Sequence, residues 1–200
     1  PVITWELTWF PAGTCEGHPM GPAHDTTLFK EMIRMRMLKI EELSAAEFMP
    51  FGTFANLIDP TAEHIGAPPV EFFRDMAQED LGHARTVSFS TCRVEPREPV
   101  VTVTEHHSLT GEGILPLDRD VLIHVGPATP PGNPAPVDRF RIFRVPRGTV
   151  VCLRPGVWHH APFGLGGTAN VLIVLPERTY ANDCVVVELA EGDRIGIAGA

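Results

Sequence analysis

Thr149-Val150-Val151-Cys152-Leu153-Arg154-Pro155-Gly156-Val157-Trp158-His159-His160 reads as a short strand, a proline-glycine turn and an extended piece ending in two adjacent imidazoles. Five mostly apolar residues closed by a Pro-Gly breaker fit a buried strand better than a helix. The same pattern repeats to either side. Upstream it predicts strands over Thr86–Arg93, Val100–Glu105, Gly113–Leu115, Val121–Val125 and Arg139–Val145; downstream, over Asn170–Leu175 and Cys184–Leu189. Many short strands separated by proline or glycine imply antiparallel pairing in a small double sheet or barrel.

Before His83 the signals are more mixed. Thr27–Ile40 is helix-permissive, although Met35–Ile40 can already open the first strand of the main domain. Ser44 followed by Glu47 forms a helix-capping pattern that Pro50 and Gly52 stop. Thr53–Ile58 is a strand candidate, and residues 61–82 are poorly periodic, with Pro68-Pro69 as a breaker and Phe72-Phe73 as buried anchors. Residues 1–34, with a strand at Ile3–Phe10, read as an N-terminal arm, leaving 35–200 as the main domain. The proline-rich run Gly126–Pro136 is a stiff loop between strands.

Two hundred residues, 44% of them hydrophobic, suffice for one substantial core. Pro 20, Gly 18 and only 20% charged residues favour a turn-rich β fold over long helices. A formal charge of -9 without a basic stripe argues against nucleic-acid binding. No apolar stretch is long enough to span a membrane, and no cleavable leader is apparent. Cys15, Cys92, Cys152 and Cys184 form no Cys-x-x-Cys pair, so the expectation is a cytoplasmic protein with free thiols.

The chemistry concentrates in two places. On a strand, Glu105 and His107 share a face while His106 points away. A turn through Gly111 returns Glu112 beside them, and His159 joins if its strand lies opposite. Glu105, His107, Glu112 and His159 suit a divalent cation such as Zn, Mn, Ni or Fe. The same groups in a metal-free cavity suit proton transfer, because a neutral imidazole acts as base or acid near neutral pH. His160 is a further acid-base candidate, and Trp158 either supports the core or walls a pocket. Arg93, and more weakly Arg154, could hold a substrate carboxylate in a paired hydrogen bond. His124 reads as a satisfied strand histidine, and Asn182-Asp183-Cys184 as a turn with a buried thiol.

Arg93-Val-Glu-Pro, Glu105-His-His-Ser-Leu, Val157-Trp-His-His and Asn182-Asp-Cys184 together resemble the ureidoglycolate lyase family, within the wider cupin class. Glu105–Glu112 is similar to the first cupin metal motif, with Glu105 standing where a histidine is usual, and Pro155–His159 is similar to the second. The resemblance implies an all-β, cupin-like double-stranded β-helix, a jelly-roll barrel with short peripheral helices. It implies cleavage of ureidoglycolate to glyoxylate and urea in purine-derived nitrogen use, and a homodimer. In that reading His107, His159, Glu105 and His160 are catalytic, and Arg93, Arg154 and Trp158 bind the small carboxylate substrate. Two alternatives stand beside it: a metal-dependent cupin enzyme acting on another small hydroxy or keto acid, and a non-catalytic cupin that binds a small acid.

Overall fold

Short strands dominate the computed structural model, which describes residues 35–200. The first are β1 (Arg36–Glu42), β2 (Gly52–Asn56), β3 (His64–Ala67), β4 (Val70–Phe73) and β5 (Val87–Val94). Next come β6 (Val100–Val101), β7 (Val103–His106), β8 (Glu112–Pro116) and β9 (Val121–Val125). The last are β10 (Arg141–Val145), β11 (Thr149–Leu153), β12 (Phe163–Gly164), β13 (Ala169–Pro176), β14 (Val185–Glu188) and β15 (Ile195–Ala198). Among the described residues α-helix occurs only as α1 (Ala45–Phe48) and α2 (Thr179–Asn182). The N-terminal arm, with its expected strand at Ile3–Phe10, Cys15 and the residues from Thr27 to Arg34, lies outside the described residues.

Two sheets form the body: β12-β9-β10-β1-β15-β6 and β2-β11-β8-β13-β5. β1 runs parallel to both of its neighbours, β10 and β15, and the other described pairings are antiparallel. Between the sheets, strand alternation gathers Ile114 of β8, Val121, Ile123 and Val125 of β9, Phe143 and Val145 of β10, and Val151 and Leu153 of β11. The opposite faces of β9 and β10 are covered as well. Leu122 and Ile142 join a second core with Val101, Phe140, Trp158, Phe163, Ile195 and Ile197. That double burial explains why Val121-Leu-Ile-His-Val125 is a continuous apolar run broken only by a histidine. The result is the expected all-β double-sheet jelly roll, and no described helix is long and apolar enough to cross a membrane.

Most expected strands appear with shifted ends. Ser44 caps α1 by accepting the Glu47 N–H at 3.3 Å. The reading of Met35–Ile40 as the opening strand holds from Arg36, because Leu38 and Ile40 pack into the second core while Met37 and Lys39 face outward. Two expectations are corrected. Residues 64–73 form a hairpin whose Pro68-Pro69 pair makes the turn rather than a simple break. Phe72 is not a buried anchor: it is 62% exposed on that hairpin.

Candidate active site and metal centre

Backbone pairing builds the site before any side chain is considered. β7 pairs with β14 on one side. Beyond the end of β11, the Pro155-Gly156 turn carries the chain back so that His159 forms an antiparallel bridge with Glu105. Glu105 N–H donates to the His159 carbonyl at 2.6 Å and His159 N–H donates to that of Glu105 at 2.8 Å. Gly156 holds φ at +79°, a conformation that a side chain would strain, and donates its N–H to the His107 carbonyl at 2.6 Å.

These pairings collect four side chains. Ligating atoms of Glu105, His107 and His159 lie within 4.8 Å of one another. Glu112, first residue of β8, sets Oε2 3.0 Å from His107 Nε2 and 3.1 Å from His159 Nε2. His107, Glu112 and His159 are buried, while Glu105 is half-buried.

The tautomers follow from the partners on the other ring nitrogen. His107 Nδ1 lies 2.7 Å from the Asp183 carbonyl and His159 Nδ1 2.8 Å from that of Val157. A carbonyl only accepts, so both Nδ1 atoms carry hydrogens and the neutral rings present Nε2 lone pairs. Two lone pairs and a carboxylate oxygen therefore converge on one spot. Such a set calls for a cation or for protons between its members, and backbone-anchored imidazoles with a carboxylate are the usual holders of a divalent ion.

The electrostatics agree with that demand. With protons between the members in place of a cation, burial pushes the Glu112 carboxyl up, but the charge on His159 and hydrogen bonds from the then-protonated Nε2 atoms overcome it and hold the pKa at about 2. Burial drives His159 toward the neutral form, but Glu112 reverses this and raises its pKa.

The segment after α2 fixes the cluster from outside. Asp183 Oδ1 and Oδ2 accept the N–H groups of Ser108 and Leu109 at 2.9 and 2.7 Å, pinning the loop that follows His107. The Cys184 thiol donates to Glu105 Oε2 at 3.2 Å, and burial together with that carboxylate pushes its pKa up to about 12. Sequence reasoning read this tripeptide as a turn and a buried thiol and missed its grip on Glu105 and His107. The signals available were a polar pair directly before a strand and the place of this tripeptide among the segments that carry the family resemblance.

The other sequence candidates sit elsewhere. Arg93 is exposed on β5, one residue from the inward-facing Cys92, so alternation turns it away. Arg154 is also exposed and donates to the Met49 carbonyl. Trp158 is 2% exposed, in the second core, with Nε1 donating to Thr129 Oγ1 at 3.0 Å and the His106 ring packed edge-on at 4.4 Å. His160, partly buried, lines a separate cavity.

A family model described as Ureidoglycolate lyase matches residues 35–195. A ureidoglycolate lyase of Burkholderia mallei is 27% identical over 154 residues, covering 70% of this chain and 82% of the relative. One from Rhodobacter capsulatus is 29% identical over 142 residues, covering 69% and 86%. Among solved structures, a dTDP sugar isomerase from Desulfovibrio desulfuricans is similar at 15% identity and a TM-score of 0.44, with 72% of this chain and 89% of that one covered. A variant of Bacillus subtilis oxalate decarboxylase is similar at 17% identity and a TM-score of 0.36, with 52% and 24% covered.

Proposed function

The chain belongs to the ureidoglycolate lyase family, and we propose that it cleaves ureidoglycolate to glyoxylate and urea at the centre formed by Glu105, His107, Glu112 and His159. The observation that carries this reading is the convergence of both Nε2 atoms on Glu112 Oε2, with Glu105 the least buried member of the set.

The reaction is an elimination that needs no oxidant or added water. The carbinol O–H loses its proton, the C–O bond becomes the aldehyde carbonyl, and the C–N bond breaks. The released electron pair and one proton go to the departing urea nitrogen. Glu105, the member of the set most open to a bound molecule, takes the hydroxyl proton on its carboxylate and returns it to the leaving nitrogen. The Cys184 thiol occupies Oε2 and leaves Oε1 for that exchange. His107 and His159, locked through Nδ1, hold their Nε2 edges fixed throughout. A divalent ion held by the four residues would supply Lewis-acid stabilisation of the negative charge that develops on the substrate oxygen.

One observation favours a metal-free variant of this reading: Glu112 lies within hydrogen-bond reach of both Nε2 atoms and raises the His159 pKa. There the His159 imidazolium supplies the proton to the leaving nitrogen, and metal removal leaves turnover intact.

His159→Asn tests the assignment to this centre. Equimolar glyoxylate and urea release should fall about 100-fold or more in kcat, the scale of a lost proton-transfer or ligating group. Unchanged turnover in a folded His159→Asn variant would place the chemistry elsewhere.

A further inference from the structure

A cavity of about 240 Å³, distinct from the cluster, is lined by Val101, Thr102, Val103, His124, His160 and Phe163, with Arg97 also on its wall. By the volume of liquid water it has room for roughly eight water molecules, or one small organic acid. One of its polar groups lacks the partner that folded proteins normally provide, and a second is a guanidinium with no carboxylate beside it.

The first is His124, 1% exposed, whose Nδ1 is buried with no hydrogen-bond partner. Its tautomer can be derived. The Thr104 hydroxyl donates its single hydrogen to the His159 carbonyl at 3.2 Å, so Thr104 Oγ1 can only accept from His124 Nε2 at 3.1 Å. Burial keeps the ring neutral. Nε2 therefore carries the hydrogen, and Nδ1 is a bare acceptor. A buried acceptor without a donor forfeits its hydration with nothing in return, so a native fold normally supplies a donor.

The second is Arg97. Its guanidinium stacks over the Phe163 ring at 4.1 Å and donates to the Ala161 carbonyl at 2.8 Å. Among the described residues no carboxylate pairs with it, unlike Arg141 and Arg144, which are bound by Glu41 and Asp120. Arg97 is exposed at the mouth of the cavity, so its remaining N–H groups are open to an incoming anion.

We propose that this cavity is a second binding site, for a small carboxylate that also carries an O–H or N–H donor: the carboxylate pairs with Arg97, and the donor fills His124 Nδ1. Thr104 links the site to the backbone of His159, so its occupancy bears on the cluster through a single side chain. The site does not depend on the lyase reading and uses none of the four cluster residues.

Glycolate is the first probe, compared with acetate, which lacks the donor, and glycolamide, which lacks the charge. Histidine-selective 15N spectroscopy of the full chain reads each ring nitrogen separately, so binding here is distinguished from binding at His107 or His159. Glycolate should saturably shift His124 Nδ1 toward a hydrogen-bonded position, and acetate and glycolamide should do so more weakly. Arg97→Gln should weaken glycolate by about tenfold to a hundredfold, the scale of a lost charge-assisted hydrogen bond, with Arg97→Lys between it and the parent. A His124 signal unmoved by glycolate, equal binding of glycolamide, or full affinity in both Arg97 variants would overturn the proposal and leave ordered water as the occupant.

Discussion

At His107 and Glu105, one atom of each side chain is committed to the segment after α2, and this makes Cys184 and Asp183 the residues with the most leverage on the centre without belonging to it. Cys184→Ala removes the donor from Glu105 Oε2 and frees that carboxylate to rotate. The expected outcome is a fall of about tenfold or more in divalent-metal affinity, measured by competition with a chromophoric chelator, with little change in unfolding midpoint. Cys184→Ser keeps a donor at the same position and should restore most of the loss. Equal affinity in all three proteins would show that the thiol contact does not position Glu105.

At the level of elements, the legible strands are those whose residues are buried on one or both faces. Val121–Val125 and Thr149–Leu153 are read from sequence with their observed ends because packing against two cores or one makes them apolar runs. The β3–β4 hairpin was not legible: Ile65, Val70 and Phe72 are all exposed, so no alternation marks it. The grouping of Glu105, His107, Glu112 and His159 was suggested by strand alternation and a turn at Gly111. The grip of Asp183 was not, since a backbone carbonyl that orients an imidazole leaves no trace in residue type. Arg97 and the bare Nδ1 of His124 were equally hidden, because each depends on which neighbours are missing. Close packing between elements also yields a prediction at Gly52, where β2 pairs with the end of β11. A Cβ there would stand 2.0 Å from the Cys152 carbonyl oxygen, an approach that only strand separation relieves. Gly52→Ala should destabilise the fold by about 1–3 kcal/mol or more in urea denaturation, and a loss within about 0.5 kcal/mol would mean that the β2 edge is free to shift.

For the whole molecule, the balance of stability against pH turns on a carboxyl outside the centre. Glu79 has both oxygens buried without a hydrogen-bond partner against the outer face of β8, where a Cβ on Gly111 would lie 2.1 Å from Oε1. Burial, reinforced by the charges of Glu112 and Asp80, pushes its pKa from 4.5 to about 8 despite the nearby Cys152 thiol. The folded protein thus binds this proton more tightly than the unfolded chain does. Its contribution to stability is fully present below pH 4.5 and is lost as pH rises toward about 8. Glu79→Gln should flatten that decline in urea midpoints across the interval, and an identical slope in parent and variant would contradict the assignment. The measurement closest to the central claim is product release from racemic ureidoglycolate by the purified protein, before and after chelation and after metal is restored. The account predicts glyoxylate and urea in equal amounts, lost on chelation and recovered with a divalent ion. Persistence after chelation would select the metal-free variant of the same chemistry, and a metal-loaded, folded protein releasing neither product would contradict the account.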